Sequence, residues 1–166
     1  MLHGAAEAVH RSQAAGLTLG TAESLTGGMV ASALASVPGA SAVLRGAVVA
    51  YANDVKARLL AVDASLLAEE GSVAGRVAAQ MAEGARSCLG ADVAVSTTGV
   101  AGPDPHDGKP VGTVFIAVAS ASGTAVEEFL FTGDRAAIRR EACETAVSML
   151  TAALPGEQKP PRTSYE

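Results

Sequence analysis

Residues 21–28 place a hydroxyl group and two glycines where an apolar strand is expected to pass into a helix. Ser24 is a possible nucleophile, and Thr26 is expected to cap the helix. Gly27 and Gly28 would stand in its first turn, although glycine within a helix costs about 1 kcal/mol relative to alanine. Bare N–H groups at a helix N-terminus favour an anion. The segment therefore predicts either an anion-binding serine site or an ordinary capped turn.

A serine nucleophile needs a base, because its hydroxyl is scarcely ionised at neutral pH. No histidine lies in the polar segments that end the predicted strands, and a lysine can replace the histidine of a Ser-His-Asp triad. Lys56 is the candidate: with Asn53 as N-cap it falls at position N3, where the helix dipole and partial burial are expected to lower its pKa. Tyr51, one of two tyrosines, could relay a proton or orient the lysine. The alternatives are a solvated surface lysine and a tyrosine at the edge of the core.

A loop rich in glycine and proline is predicted over residues 98–111. Loops of this length are usually functional or disordered, and its three prolines favour a rigid, functional loop. Thr98 and the N–H groups of Gly99 to Gly102 could hold a phosphate or an oxyanion. A rigid structural loop is the alternative.

Two arginines, Arg135 and Arg139, lie four residues apart and therefore share one face of the last predicted helix. Such a pair suits a phosphate or a carboxylate. Ordinary salt bridges with neighbouring glutamates are the alternative for either arginine.

The elements that must position these residues follow from apolar periodicity and turn residues. Helices are predicted at residues 3–15, 27–36, 54–60, about 63–71, 73–89 (capped by Ser72) and 133–153. Strands are predicted at residues 17–22, 42–51, 92–97, 112–120 and 124–131, the last two forming a hairpin around Ser122-Gly123. This alternation predicts an α/β fold, a three-layer α/β/α sandwich with a mixed five-stranded sheet. If the first three strands run parallel, their polar ends converge, and ligands of open α/β sheets bind there.

The composition limits the classes of function. The 166 residues predict a single domain over residues 1–154, followed by a disordered, proline-rich tail at 155–166. A formal net charge of −5 argues against a nucleic-acid partner. No export signal or membrane span is visible, which predicts a cytoplasmic protein without a membrane partner. An alanine-rich helix face with few charges favours a homo-oligomer.

The cysteines and histidines do not predict a metal site. Cys88 and Cys143 are far apart and are expected to be core thiols on apolar helix faces. The three histidines have no spacing typical of metal ligands, so no metal is expected.

Five segments in one order resemble the CinA C-terminal domain family, whose characterised members are nicotinamide-nucleotide amidases. They are TAESLTGG (21–28), GAVVAYANDVK (46–56), TGVAGPD (98–104), KPVGT (109–113) and GDRAAIR (133–139). The resemblance covers roughly residues 5–153. Longer members carry an additional N-terminal domain similar to molybdopterin-binding proteins, and the chain resembles the stand-alone form.

The resemblance implies roles for individual residues. The nucleophile of the family falls on Ser24, its catalytic lysine on Lys56 and its tyrosine on Tyr51. The hydroxyl residue of its glycine loop falls on Thr98. Its substrate-binding arginine falls on Arg135 or Arg139.

The implied reaction converts nicotinamide mononucleotide and water to nicotinate mononucleotide and ammonia, in pyridine nucleotide salvage, without a metal or cofactor. The substrate phosphate is expected near Thr26, Gly27 and Gly28, the glycine loop and the arginine pair. N–H groups near Gly27 or Gly99 are expected to hold the oxyanion. Two other functions remain open: a non-catalytic nucleotide-binding or regulatory module, and an amidohydrolase for another small amide.

Overall fold

The computed structural model describes residues 3–156 of the chain. Its α-helices are α1 (His3–Ala15), α2 (Met29–Ala35), α3 (Asn53–Leu60), α4 (Ala64–Glu70), α5 (Gly75–Leu89) and α6 (Arg135–Ala152), and a short 3-10 helix covers Ala40–Ala42. Its strands are β1 (Leu19–Glu23), β2 (Leu44–Val49), β3 (Val93–Gly99), β4 (Thr113–Ser120) and β5 (Gly123–Leu130). The predicted tail lies, after its first two residues, outside the described residues.

The five strands form one mixed sheet in the order β2-β1-β3-β4-β5. β1 pairs in parallel with both β2 and β3, whereas β4 is antiparallel to β3 and to β5. Ser120 pairs with Gly123, so β4 and β5 form the predicted hairpin with Ala121 and Ser122 as its turn. The mixed five-stranded sheet predicted from the sequence is therefore confirmed.

Helices cover both faces of this sheet, which confirms the α/β/α sandwich. α1, α2 and α6 pack on one face, over a core that the strands supply with leucine, valine and isoleucine. α3, α4 and α5 cover the other face, where the strands present mainly alanine: Ala22, Ala94, Ala117 and Ala119. Small side chains allow a helix to lie close to a sheet, and α5 contacts all five strands through this face.

α3 and α5 approach each other closely at one glycine. A Cβ atom at Gly84, inside α5, would overlap the carbonyl oxygen of Leu60, the last residue of α3. Glycine inside a helix is otherwise unfavourable, so this contact between two backbones is the physical reason for its presence. The contact fixes α3 against α5.

The start of α5 differs from the prediction. Its N-cap is Ala74 rather than Ser72, and the Ala74 side chain makes no capping hydrogen bond. The Ser72 hydroxyl donates instead to Asp107, 35 residues further along the chain. A tertiary partner has therefore replaced the local cap.

The two cysteines have different environments. Cys143 is buried in the core between α1, α2 and α6, as predicted, and burial raises the pKa of its thiol to about 11. Cys88 is exposed near the end of α5, so the prediction of a core position was wrong for this residue. Both are free thiols.

Within residues 3–156, no helix is both long enough and apolar enough to cross a bilayer. The same part of the chain contains no group of three or more His, Cys, Asp and Glu side chains that could hold a metal ion.

Candidate active site

The polar ends of the three parallel strands meet at one edge of the sheet. Glu23, the last residue of β1, pairs with Val49 at the end of β2 and with Thr97 near the end of β3. A cavity of about 330 Å³ opens at this edge. Of the residues predicted from the sequence, Ser24, Tyr51, Thr98, Gly99 and Arg135 line it, together with Leu25, Ser72 and residues 100–106.

Lys56 extends from α3 to Ser24 at this edge of the sheet, but it does not itself line the cavity. Its Nζ donates hydrogen bonds to Ser24 Oγ at 3.2 Å and to the carbonyl oxygen of Tyr51 at 2.9 Å. The residue is only 1 % exposed, and it is the largest fully buried side chain of the described residues. The serine and lysine suggested by the sequence therefore lie within hydrogen-bond reach of each other.

Burial lowers the pKa of Lys56 from 10.5 to about 8, and the charge of Asp107 opposes this shift. The pKa of Lys56 is lowered, as predicted, but the predicted position of the residue in α3 was wrong by one. The N-cap of α3 is Ala52 rather than Asn53, so Lys56 stands at N4 instead of N3. Desolvation by the surrounding fold, rather than position in the first turn, is the main cause of the lowered pKa.

Tyr51 contributes to the site through two different groups. Its carbonyl oxygen orients Lys56 Nζ. Its side chain is 59 % exposed, and the hydroxyl accepts a hydrogen bond from Arg135 Nη2 at 2.9 Å. Arg135 also donates from Nη1 to the Gly102 carbonyl at 2.8 Å. The tyrosine hydroxyl thus stands at the mouth of the cavity with Arg135, away from Lys56 Nζ.

Glu23 immediately precedes Ser24 and is completely buried. Its carboxylate accepts hydrogen bonds from the N–H groups of Gly28, Val30 and Ala31 at 2.8, 3.1 and 2.8 Å. These N–H groups belong to the N-terminus of α2, which favours negative charge. The protein's own carboxylate therefore occupies the anion position that the sequence suggested for a ligand.

Thr26 takes part in the same network instead of capping α2. Its hydroxyl donates to Glu23 Oε2 at 2.7 Å. Because a hydroxyl has a single hydrogen, Thr97 must be the donor in the 2.7 Å contact between the two threonine oxygens. The N-cap of α2 is Gly28, with a left-handed backbone and no side-chain hydrogen bond. The prediction that Thr26 caps α2 was wrong.

Gly27 and Gly28 face a different space from Ser24. Both line a groove of about 600 Å³ between α2 and α6. Their φ angles of +60° and +98° explain why glycine occupies these positions, since other residues rarely adopt that conformation. The two glycines shape the turn after Ser24, and neither lines the cavity that contains Ser24.

Arg139 lies behind the same turn. Its Nε donates to the Leu25 carbonyl at 2.8 Å and its Nη2 to the Thr26 carbonyl at 3.1 Å. It does not line the cavity, although it shares a helix face with Arg135. The structure therefore separates the two arginines, one at the cavity mouth and one bound to the turn. Neither forms a salt bridge within residues 3–156.

Backbone N–H groups next to Ser24 remain available. The Gly27 N–H donates to the Ser24 carbonyl at 3.1 Å, and the Ser24 N–H donates to the Thr97 carbonyl at 3.0 Å. Within residues 3–156, the N–H groups of Leu25 and Thr26 donate no hydrogen bond. Of these two residues only Leu25 lines the cavity, so its N–H is the candidate donor beside the serine.

Sequence reasoning considered Glu23 only as an alternative base and Ser72 only as a helix cap, and it missed Asp107. Glu23 could have been noticed as a carboxylate at the end of an otherwise apolar strand, where burial requires several donors. Ser72 lines the cavity, and its carbonyl accepts from the Thr98 hydroxyl at 2.7 Å. Asp107 binds Ser72 from a loop, and no local pattern reveals that contact.

Comparison with known proteins identifies the family. The model of the CinA C-terminal domain matches residues 3–154. A CinA-like protein of Frankia casuarinae is 50 % identical over 139 residues, which are 84 % of this chain and 32 % of the relative. A CinA-like protein of Geobacter sulfurreducens is 48 % identical over 136 residues, or 81 % of this chain and 33 % of the relative. The chain spans about a third of the length of these curated relatives.

Solved structures agree with this comparison. The competence/damage-inducible protein CihA of Agrobacterium tumefaciens is 37 % identical, with a TM-score of 0.84 over 90 % of this chain and 94 % of the other. A CinA superfamily protein of Enterobacter cloacae is 30 % identical, with a TM-score of 0.89 over 93 % and 92 % of the two chains. The chain therefore belongs to the CinA C-terminal domain family.

Proposed function

We propose that the chain is an amidase that hydrolyses the carboxamide of nicotinamide mononucleotide to nicotinate mononucleotide and ammonia. The observation that carries the proposal is the 3.2 Å contact between Ser24 Oγ and Nζ of the buried Lys56. With a pKa of about 8, roughly a tenth of the lysine is neutral at pH 7 and can accept a proton. A serine and a neutral lysine in contact form a nucleophile and its base.

The reaction needs two steps on one serine. Ser24 Oγ attacks the carboxamide carbon as its proton passes to Lys56 Nζ, and the carbonyl oxygen becomes an oxyanion facing the Leu25 N–H. The C–N bond then breaks as Lys56 returns the proton to the nitrogen, so ammonia leaves and a nicotinoyl ester remains on Ser24. Water attacks this ester with Lys56 again as the base. Release of the nicotinate product restores both side chains.

Tyr51 supports this chemistry mainly through its backbone. The carbonyl oxygen accepts a hydrogen bond from Lys56 Nζ at 2.9 Å, which directs the remaining lysine donors and lone pair towards Ser24. The sequence also suggests a proton relay through the Tyr51 hydroxyl. For that role the hydroxyl has to leave Arg135, its partner at the cavity mouth.

The phosphate of the substrate is assigned to Arg135. This arginine is exposed and lines the mouth of the cavity, whereas Arg139 uses its guanidinium to hold the turn after Ser24. The Gly28 N–H is already bonded to Glu23, and Gly27 donates to Ser24. A carboxamide at Ser24 with a phosphate at Arg135 orients the mononucleotide across the cavity.

The direct test is to incubate the purified protein with nicotinamide mononucleotide and to measure ammonia and nicotinate mononucleotide together. We expect both products in equal amounts, and neither with Ser24→Ala. Nicotinamide riboside, which lacks the phosphate, should be a poorer substrate. Binding of the mononucleotide without turnover would instead indicate a non-catalytic nucleotide-binding module. Turnover of another amide, with none of the mononucleotide, would indicate an amidohydrolase of different specificity.

A further inference from the structure

Asp107 fastens the β3–β4 loop, residues 100–112, to the connection between α4 and α5, residues 71–74. Its Oδ2 accepts hydrogen bonds from the Ser72 N–H at 2.5 Å, the Ser72 hydroxyl at 2.9 Å and the Val73 N–H at 3.3 Å. One carboxylate oxygen thus binds three donors, which is a strong, charge-assisted arrangement.

This contact continues into the wall of the cavity. The carbonyl of Ser72 accepts a hydrogen bond from the Thr98 hydroxyl at 2.7 Å. Ser72, Thr98 and residues 100–106 all line the cavity that contains Ser24. Asp107 therefore helps to join two segments of the cavity wall, the end of β3 with its following loop and the α4–α5 connection, although it does not line the cavity itself.

The neighbouring glycine supplies independent support for a built contact. Gly71 has a φ of +76°, and a Cβ atom there would lie 2.5 Å from Asp107 Cγ. Only glycine leaves room for the carboxylate at this distance. The absence of a side chain at Gly71 therefore leaves the space that the Asp107 carboxylate occupies.

Asp107 also acts on Lys56 through its charge. The ionisable residues on the surrounding elements include Glu23 of β1, Asp54 and Arg58 of α3, Arg76, Glu83 and Arg86 of α5, Arg135 and Arg139 of α6, and Asp104, His106, Asp107 and Lys109 of the β3–β4 loop. Among them, the Asp107 charge raises the pKa of Lys56 against the larger effect of burial. Burial raises the pKa of Asp107, but the hydrogen bonds from Ser72 and Val73 and the neighbouring His106 together lower it below its ordinary value, so this charge persists at neutral pH.

We propose that Asp107 is a positioning residue of the active site, which locks the β3–β4 loop onto the α4–α5 connection and keeps a negative charge near Lys56. The proposal rests on the amidase function proposed above. It separates two effects of one carboxylate: a hydrogen-bonded lock that shapes the cavity wall, and a charge that acts on the base.

Two substitutions divide these effects. Asp107→Asn keeps an oxygen that can accept from Ser72 and Val73 but removes the charge. We expect its KM to stay within about twofold of wild type, while the acidic limb of kcat/KM moves to lower pH. Asp107→Ala removes the acceptor as well. We expect its KM to rise by about tenfold or more, because the cavity wall is released. A KM that stays near wild type in Asp107→Asn but rises in Asp107→Ala would show that the hydrogen bonds of Asp107, rather than its charge, hold the cavity wall.

Two further readouts do not require turnover. Hydrogen exchange of amides in residues 100–112 should accelerate in Asp107→Ala and remain near wild type in Asp107→Asn. The chain has only three lysines, Lys56, Lys109 and Lys159. Biosynthetic ¹³C labelling of lysine therefore allows Lys56 to be titrated by NMR, with its signal assigned by its loss in Lys56→Met. Both Asp107 variants should titrate at lower pH than wild type.

Asp104→Asn is the matched control, since it removes a charge from the same loop at a residue that does not alter the pKa of Lys56. It should leave the Lys56 titration and the loop exchange unchanged. The proposal is overturned if Asp107→Ala leaves exchange in the loop unchanged, or if Asp107→Asn leaves the Lys56 titration unchanged. If wild type has no amidase activity but both readouts respond, the proposed function fails and the structural role of Asp107 stands.

Discussion

The guanidinium of Arg135 donates a hydrogen bond of 2.9 Å to the Tyr51 hydroxyl, across 84 residues of sequence. This bond joins the start of α6 to the segment after β2, on opposite sides of the cavity mouth. With a second donor bound to the Gly102 carbonyl, about three of the five N–H donors of the arginine remain for an anion. The pair is therefore held in place before a substrate arrives.

Substitution of Arg135 should affect binding more than chemistry. We expect Arg135→Ala to raise KM for nicotinamide mononucleotide by about 10- to 100-fold with a smaller change in kcat, because a phosphate contact exists in both the ground state and the transition state. Nicotinamide riboside provides the internal control, and its KM should change little. Arg139→Ala should mainly lower stability, since Arg139 donates to the Leu25 and Thr26 carbonyls. Equal effects of Arg135→Ala on nucleotide and riboside would show that the phosphate binds elsewhere.

The serine and the lysine should behave as one catalytic unit. Ser24→Ala and Lys56→Ala are each expected to lower kcat by about 10³ or more, and the double variant should be little worse than either. Ammonia release with saturating substrate measures this directly. Near-normal turnover of Ser24→Ala would point to a directly activated water. Near-normal turnover of Lys56→Ala would point to Tyr51 as the base, because Glu23, the other alternative, is buried and bonded to α2.

The rate should depend on pH through the base. Lys56 must be neutral to accept the serine proton, so kcat/KM should rise with pH through an ionisation near its pKa of about 8 and level off above it. A profile from pH 6 to 10 in buffers of constant ionic strength measures the midpoint. A kcat/KM that still rises tenfold per pH unit up to pH 10, as expected for a lysine with the ordinary pKa of 10.5, would show that Lys56 is not desolvated.

The same lysine should make folding less favourable below its folded pKa. Because folding lowers the pKa of Lys56 from 10.5 to about 8, the unfolded chain binds more protons between these values, and this contribution to stability increases with pH across that window. Lys56→Met should therefore unfold with a free energy about 1–3 kcal/mol higher than wild type at pH 7, with a smaller gain at pH 9.5. Urea denaturation at both pH values measures the difference. A variant less stable than wild type at pH 7 would contradict the expectation.

Loss of Glu23 should destabilise the protein strongly. Glu23→Ala leaves the N–H groups of Gly28, Val30 and Ala31 buried or part-buried without an acceptor, so we expect the free energy of unfolding to fall by about 3–5 kcal/mol. Glu127→Ala, at an exposed position on β5, is the control and should stay within about 0.5 kcal/mol of wild type. Similar stability of Glu23→Ala and the control would mean that water replaces the carboxylate readily.

The architecture and much of the site could be predicted because both depend on repeating patterns. Apolar periodicity located the helices and strands, and parallel strands necessarily bring their carboxyl ends together. That rule placed Ser24, Tyr51 and Thr98 at one cavity, as observed. Helical spacing also correctly put Arg135 and Arg139 on one face of α6. It could not show that Arg135 lines the cavity whereas Arg139, one turn further along, binds the turn after Ser24.

The predictions that depended on local rules were less successful. Thr26 and Ser72 are good capping residues, but each forms its hydrogen bonds within networks built by tertiary contacts, with Thr97 and Asp107 as partners from other parts of the fold. The local capping rules do not include partners more than 30 residues away. The pKa of Lys56 shows the same limit, since the fold that buries the side chain has more effect than its position in α3.

Gly84 has a consequence for the working distance of the site. Its hydrogen atom occupies the space where any other residue would place a carbon against the Leu60 carbonyl. α3 carries Lys56 one turn before Leu60, so the absence of a side chain at Gly84 affects how closely the lysine approaches Ser24. A methyl group there would push α3 outward and lengthen the 3.2 Å separation between Nζ and Ser24 Oγ. A residue with no side-chain heavy atom thus sets the spacing between α3 and α5, and through it the separation of Lys56 and Ser24.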